Sequence, residues 1–188
     1  MLKKTAIGLC AALMFVGCST TLVREKPKAI RLGETGVSCV ATPLVEALLA
    51  QRGTAIHAIQ GNWKEHAFVA ESVTKGEEGR FTAIFLAPQM RLATITLTPP
   101  HTITFDRARS IPSAFEPEYA LFDLAVINLP PDVLRRVLGG GFAVVVRSDV
   151  REVSAGGTPI AVRTSLPDGT VRYENKALDY TYTLKEVR

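Results

Sequence analysis

The side chains that most often perform chemistry are sparse in this chain and form no known catalytic arrangement. Its three histidines, His57, His66 and His101, are scattered over predicted strands and a turn. His57 and His66 could approach each other across a hairpin, yet a metal site needs more ligands than two. The sequence contains no Gly-x-Ser-x-Gly turn, no phosphate-binding glycine loop and no His-Glu-x-x-His zinc helix. We therefore predict no catalytic residue, no metal site and no cofactor.

Two isolated residues carry the remaining possibilities for chemistry. Asp123 lies in the middle of an apolar segment, where a lone acid without a second carboxylate is a poor general acid or base. We expect its carboxylate to cap or hydrogen-bond a neighbouring strand. Cys39 is a candidate for thiol-dependent acyl chemistry, but no base or basic cluster lies near it in the sequence. The preferred interpretation of Cys39 is an inert, half-buried thiol.

The N-terminus has the pattern of a removable leader, and we predict a signal peptide over residues 1–17. Lys3 and Lys4 supply a positive start, and residues 5–16 form an apolar stretch of the usual length. This stretch is too short to cross the roughly 30 Å hydrocarbon layer as a permanent helix. The alternatives for this N-terminal segment are an ordinary secretory leader and a signal anchor in which the cysteine at position 18 occurs by chance.

The end of the leader, Phe15-Val16-Gly17-Cys18-Ser19, resembles the lipobox of bacterial lipoproteins. The resemblance implies that Cys18 becomes the mature N-terminus and carries a diacylglycerol thioether and a further acyl chain. Several acyl chains give stable anchoring, whereas one chain binds a membrane only reversibly. Ser19 after the cysteine resembles a sorting signal for the outer membrane. We predict a lipid anchor at Cys18 and a location on the periplasmic face of the outer membrane.

Composition excludes several classes of protein. The 188 residues are 47% hydrophobic and 21% charged, which is enough for one domain with a core and excludes a disordered tail or a coiled coil. The net charge of +4 falls to +2 when Lys3 and Lys4 leave with the leader. Basic residues do not cluster with aromatic ones, so a nucleic-acid partner is not indicated.

The mature chain begins with a polar, basic stretch and then changes to strand periodicity. Residues 18–41 are predicted to be a lipidated tether. A short helix follows, with Thr42 as N-cap, Pro43 at its first position and Gly53 just past its end. Alternating hydrophobic residues with short turns then predict an antiparallel meander of about five strands. These predicted strands are 54–60, 65–73, 80–87, 91–97 and 102–105.

Prolines interrupt the strand pattern and mark a predicted helical insertion at about 115–138. The spacing of Leu121, Phe122, Ala125 and Leu129 suits one face of a helix. A second helical segment begins at Pro131 and ends at a run of three glycines. Strands are then predicted at 142–147, 159–163, 170–173 and 179–187, with Tyr180 and Tyr182 on one face of the last. The fold class is α+β, mainly antiparallel β.

One strand bears directly on function because both of its faces are apolar. In residues 80–87, Phe81 and Phe85 point to one side, and Ile84 and Leu86 point to the other. Such a sheet must have both faces covered, or it exposes one to a hydrophobic ligand. The helical insertion is the obvious cover. The alternative is that the helices pack on the sheet and leave no cavity.

Several segments are similar to a family of uncharacterised bacterial outer-membrane lipoproteins associated with gene clusters for aryl-polyene lipids. The similarity rests on the lipobox and on the hydrophobic patterns of residues 118–130 and 175–184, and it extends over roughly residues 54–187. That family in turn resembles the LolB and LolA lipoprotein carriers. The resemblance implies an open half-barrel of about nine to eleven strands over 42–188, with short helices covering the concave face and an apolar cavity for acyl chains. The chain departs from LolB, which has an exposed leucine in a loop between early strands. Here the candidate loops are 75–79, which has no apolar side chain, and 87–90, where Met90 is the residue expected to be exposed.

These observations predict a lipoprotein that binds a hydrophobic or acyl ligand and assists lipid or lipoprotein transport or assembly. The expected lining residues of the cavity are Phe81, Phe85, Ile95, Phe105, Leu121 and Leu124. A structural or assembly lipoprotein that acts through contacts with a periplasmic protein partner is the alternative. An enzyme that uses Cys39 is a further hypothesis.

Overall fold

The structure of the chain is a computed structural model that describes residues 19–32, 38–63, 65–111 and 115–187. The predicted signal peptide and Cys18 lie outside the described residues. The strands in the described part are β1 Ser19–Arg24, β2 Ile30–Arg31, β3 Ser38–Cys39, β4 Gly53–Trp63, β5 His66–Glu77, β6 Arg80–Ala87, β7 Met90–Thr98, β8 Thr102–Ala108, β9 Phe142–Arg147, β10 Val150–Ala155, β11 Thr158–Ser165, β12 Val171–Asn175 and β13 Tyr180–Glu186. The helices described are α1 Ala41–Leu49, α2 Pro117–Asn128 and α3 Pro131–Leu138.

Eleven of the described strands form one open antiparallel sheet. Its order is β1-β8-β7-β6-β5-β4-β13-β12-β11-β10-β9, so β1 and β9 are its edges. The hairpins of the meander pair in sequence, and β13 returns to pair with β4, which joins the two halves. β2 and β3 form a separate small ribbon. The sheet is not a closed barrel, and the predicted open, mainly antiparallel α+β fold is confirmed.

The helices lie on one face of this sheet, which we call the inner face. Alternation along the strands turns Phe81, Ile95 and Phe105 toward the helices, and all three are buried. Apolar residues of α1, α2 and α3 join these side chains in one continuous hydrophobic core. No helix in the described residues is long and apolar enough to span a membrane.

Prolines set the positions of α2 and α3. Pro117 and Pro131 occupy first-turn positions, where the missing N–H has no intrahelical partner to lose. Both helices fall within the predicted insertion. The predicted start of α1 is wrong, because the helix begins at Ala41 after Val40 and no side chain caps it. Thr42 is therefore already inside the first turn.

The prediction of a tether over 18–41 is wrong for its first residues. Ser19–Arg24 form β1, which pairs with β8 along its whole length, and the Thr21 hydroxyl also donates a hydrogen bond to Asp106. Backbone pairing at a sheet edge needs no apolar side chains, so a polar, basic composition did not predict a strand. Further along, Ile30 and Leu32 are buried in the core. Strand β10 was likewise absent from the predicted strands.

Candidate functional site

The structure places the six predicted lining residues in the core beneath and within α2. Phe81, Ile95 and Phe105 lie on the inner face, and each is at most 3% exposed. Leu121 and Leu124 lie on α2 and are also buried. Phe85 is half-buried and packs against the same core. The six side chains thus come together, with the helices already packed against the sheet.

Two surface grooves lie elsewhere. One, of about 450 Å³, runs beside α1 and α3, and the other, of about 400 Å³, lies over β4, β5 and β13. The first is lined by Pro43, Glu46, Ala47, Ala50, Gln51, Pro130, Val133, Arg136 and Val137. The second is lined by Gln60, Gly61, Asn62, Ala67, Phe68, Val69 and Thr183. None of the six predicted residues lines either groove.

At its N-terminal end, α2 is held by an ion-pair cluster. The guanidinium of Arg24 on β1 contacts Glu118 at 2.5 Å and Glu116 at 2.7 Å. The Lys28 backbone N–H also donates to Glu118 at 2.9 Å, and its ammonium contacts Glu116 at 3.2 Å. Burial alone lowers the pKa of Arg24, but the hydrogen bonds to Glu118 and Glu116 outweigh it and raise that pKa. The cluster joins β1 and the residues just after it to the start of α2.

In its middle, α2 is joined to the sheet by a buried polar network around Asp123. The Tyr173 hydroxyl and the Asn175 side-chain amide both donate to one oxygen of the Asp123 carboxylate, at 2.5 Å and 3.0 Å. The Tyr180 hydroxyl donates to the other oxygen of that carboxylate. The rings of Tyr173 and Tyr182 lie 5.2 Å apart, so the network is walled by aromatic side chains. Asp123 therefore accepts hydrogen bonds from β12 and β13. The prediction that its carboxylate hydrogen-bonds a neighbouring strand is confirmed.

Gly61 allows the aromatic rings around this network to pack closely. Gly61 on β4 is paired with Tyr182 on β13. A Cβ at Gly61 would overlap the Tyr182 Cβ and the Thr181 carbonyl oxygen. The absence of a side chain at Gly61 thus allows the two strands to approach closely and seats the Tyr182 ring against Tyr173.

The ionisation of Asp123 makes stability depend on pH. Burial raises its pKa from the usual 3.8 to about 6, although the hydrogen bonds from Tyr173, Tyr180 and Asn175 act in the opposite direction. Because the folded pKa exceeds the unfolded one, this group's contribution is fully present below about pH 3.8 and is lost as pH rises through about 6. We expect the unfolding free energy of the wild type, relative to Asp123→Asn, to fall by about 3 kcal/mol over that range.

Urea unfolding at acid and neutral pH measures this difference directly. Asp123→Asn is the reference, because it keeps the size of the side chain but has no titrating group. Other ionisable groups titrate equally in both proteins and cancel in the comparison. A difference between the two proteins that stays constant from pH 4 to pH 7.5 contradicts the prediction.

At its C-terminal end, α2 is capped by an arginine from the sheet. Arg151 on β10 donates through one terminal nitrogen to the carbonyl oxygens of Val126 and Leu129, each at 2.7 Å. A cation is favourable there because the last carbonyls of a helix lack intrahelical partners and carry partial negative charge. Helix α2 is thus fixed by polar contacts at its start, its middle and its end.

Comparison with protein families identifies the family to which this domain belongs. A family model described as "Protein of unknown function (DUF3261)" matches residues 54–188. The chain belongs to this family. The DUF3261 match takes in β4 to β13 with α2 and α3, so it contains the Asp123 network and Arg151, whereas β1 with Arg24 precedes it. A search of curated proteins gives no significant match.

The remaining candidates for chemistry among the described residues are far apart or buried. His57 pairs with Ser72, and His66 pairs with Trp63, so the expected approach of the two histidines across the hairpin is wrong. Among the described residues, no three of His, Cys, Asp or Glu are grouped to hold a metal ion. Cys39 is fully buried, and burial raises the pKa of its thiol to about 12. That environment disfavours the nucleophilic thiolate.

The polar contacts of α2 were not predicted as pairs from the sequence alone. Asp123 was recognised, and Tyr180 and Tyr182 were placed on one face, but nothing joined the helix to those strands. Glu118 and Arg24 were not recognised as a pair. The available signal was an acid within an apolar helix together with tyrosines whose hydroxyls need buried partners.

Proposed function

We propose that this chain is an outer-membrane-anchored periplasmic lipoprotein that binds a hydrophobic or acyl chain between the inner face of its sheet and α2. In this role it assists lipid or lipoprotein transport or assembly. The observation that carries the proposal is the attachment of α2. This helix covers an apolar sheet face, yet polar contacts hold its start, middle and end. The role requires no reacting group.

The polar attachment of α2 matters because a carrier needs a covering helix that can move away from the sheet to admit its ligand. Buried hydrogen bonds and ion pairs contribute little net stability, since their groups bond water equally well when the contact opens. The apolar contacts that α2 makes with the sheet can be replaced by those of an acyl chain. Each methylene so buried contributes about 0.8 kcal/mol. An acyl chain of ordinary length therefore offsets the loss of helix contacts.

The position of β1 supports a very short link between the folded domain and the proposed lipid anchor. Ser19 is already in β1, directly after the proposed lipid attachment at Cys18. A lipid on Cys18 would thus hold the edge of the sheet close to the bilayer, and Arg24 would link that edge to α2. Anchoring raises the local concentration of the carrier at the membrane that supplies or receives its ligand. The lipobox resemblance, including Ser19, supports the outer membrane as its location.

A second candidate function is supported by the packing of the core. Five of the six predicted lining residues are buried, and Phe85 packs on the same core, so the helices fill the inner face. A domain with a permanently filled core would act as a structural or assembly lipoprotein through protein contacts. Exposed Val145 and Val146 on the edge strand β9 are available for such contacts.

Two substitutions on one strand distinguish these functions. Phe85→Glu places a charge on the inner face at a half-buried position, whereas Ile84→Glu places it on the opposite face. For a carrier we expect Phe85→Glu to reduce acyl-chain occupancy by about tenfold, because a carboxylate in the apolar site must be desolvated. Ile84→Glu should retain occupancy. Native mass spectrometry after incubation with a long-chain fatty acid measures both, and urea unfolding reports folding.

The outcomes separate clearly. Loss of occupancy in Phe85→Glu beyond its loss of stability supports the carrier. Equal effects of the two substitutions on occupancy, or no uptake by the wild type, favour the structural lipoprotein.

A further inference from the structure

Two arginines face each other on the inner face of the sheet. Arg151 on β10 and Arg163 on β11 are direct cross-strand partners. The same row continues from Val146 on β9 through the two arginines to Tyr173 on β12. Because Tyr173 points toward α2, its row partners Arg151 and Arg163 do so too. Like charges placed directly opposite each other in a sheet repel and destabilise the pair.

In the part of the chain that the structure describes, no acidic side chain compensates these charges. Among the described residues, no carboxylate lies within 4.0 Å of Arg151, Arg163 or the neighbouring Arg135. Burial lowers the pKa of Arg151, and the charges of Arg163 and Arg135 lower it further. Burial also lowers the pKa of Arg163. The structure therefore concentrates positive charge at one place on the face that α2 covers.

The hydrogen bonds of these arginines use only part of their capacity. Arg151 uses one terminal nitrogen on the carbonyls of α2, and Arg163 uses one on the Ser165 hydroxyl at 2.9 Å. The Nε of each is buried and has no partner among the described residues. A guanidinium has five N–H donors in a planar fork, which matches the oxygens of a phosphate or carboxylate. Within the described residues, the pair is thus a set of donors without an acceptor of opposite charge.

The position of the pair connects it with the proposed carrier site. Val146, next to Arg151 in the row, is 42% exposed on the edge strand, so solvent reaches this end of the inner face. Val126 and Leu129, whose carbonyls Arg151 contacts, are buried in the apolar core. A ligand with a charged head at the arginines could therefore place its chain against the core beneath α2.

We infer that Arg151 and Arg163 form a binding site for the phosphate or carboxylate head of an amphiphilic ligand, with Arg135 adding positive charge. The inference rests on the proposed carrier function for the chain of that ligand, but the head site is defined by its own residues. An anionic head satisfies the unused donors and removes the repulsion between the two guanidiniums. The ligand class is an anionic single- or multi-chain amphiphile rather than a neutral one.

The test compares three probes on the full chain carrying Cys18→Ser, which removes the proposed acylation site. Calorimetric titrations use dodecyl phosphate, dodecyl maltoside and inorganic phosphate, with the two amphiphiles kept below their micelle concentrations. The variants are Arg163→Gln and, as a matched control, Arg172→Gln. Arg172 is an exposed arginine on β12 whose side chain lies on the outer face. Arg163→Gln spares the cap that Arg151 provides to α2.

We expect dodecyl phosphate to bind the wild type about tenfold or more tightly than dodecyl maltoside, because charge-assisted hydrogen bonds form only with the former. Arg163→Gln should abolish this preference, and Arg172→Gln should retain it. Without any anion, Arg163→Gln should also raise the melting temperature, since it removes a repelling charge. Equal affinity of the wild type for the two amphiphiles, or equal behaviour of the two variants, overturns the head site.

The probes also separate this inference from the carrier proposal. Binding of both amphiphiles without preference retains the carrier and rejects the head site. Binding of inorganic phosphate alone, lost in Arg163→Gln, retains an anion site that takes free phosphate and rejects the carrier and the amphiphile head. Binding of none of the probes rejects both.

Discussion

Asp123→Ala is expected to lower the free energy of unfolding by about 3–5 kcal/mol. The substitution leaves the hydroxyls of Tyr173 and Tyr180 and the amide of Asn175 without their shared acceptor. Tyr173 and Asn175 are fully buried, so water cannot replace the carboxylate without opening the core. The loss should appear mainly as release of α2 from β12 and β13, because Asp123 forms hydrogen bonds with both strands.

Urea unfolding followed by circular dichroism measures this change. Asp132→Ala is the matched control, because Asp132 is an exposed aspartate in the first turn of α3. Its removal should cost less than about 1 kcal/mol through the helix dipole. Tyr180→Phe removes one of the donors and should lie between the two. If Asp123→Ala is as stable as Asp132→Ala, the network does not hold α2.

Arg24→Ala is expected to have an effect of similar size, about 3–5 kcal/mol, because it leaves a buried carboxylate without its cation. The Glu118 side chain is fully buried, and one of its oxygens already has no partner among the described residues. After the substitution, the Lys28 backbone N–H remains as its donor. Loss of the ion pair should also release β1 from the end of α2.

The neighbouring lysine provides the control for Arg24. Lys28 contacts the same cluster, but its side chain is 59% exposed, so Lys28→Ala should cost less than about 1 kcal/mol. Adding Glu118→Gln to Arg24→Ala should recover part of the stability, because it removes the uncompensated charge. Equal, small losses for Arg24→Ala and Lys28→Ala would show that β1 is only loosely attached and would favour the tether interpretation.

The sequence predicted the central part of the fold well because local signals were strong there. The predicted strand at 80–87 coincides with β6, since alternation and flanking turns define it. Prolines gave the positions of α2 and α3. β1 was missed because its partner, β8, is distant in the chain, with Ser19 paired with Ala108 and Arg24 with Ile103. β10 was missed because Arg151 and Glu152 break its apolar pattern.

The site was harder to predict because its contacts depend on tertiary register. Asp123 was conspicuous as an acid in an apolar segment, and its hydrogen bonding to a strand was expected. Its partners Tyr173 and Tyr180 are 50 and 57 residues away in the chain, so no local pattern indicates them. The pairing of Arg151 with Arg163 likewise follows from the register of two strands and not from their separate sequences.

The most direct test of the carrier function is photo-cross-linking with a fatty acid that carries a diazirine near the end of its chain. The full chain with Cys18→Ser is incubated with this probe and irradiated, and the adducts are mapped by peptide mass spectrometry. The carrier function predicts adducts on the inner face and on α2, at or beside Phe81, Phe85, Ile95, Phe105, Leu121 and Leu124. Adducts confined to the surface groove beside α1 and α3, or the absence of adducts, would contradict it.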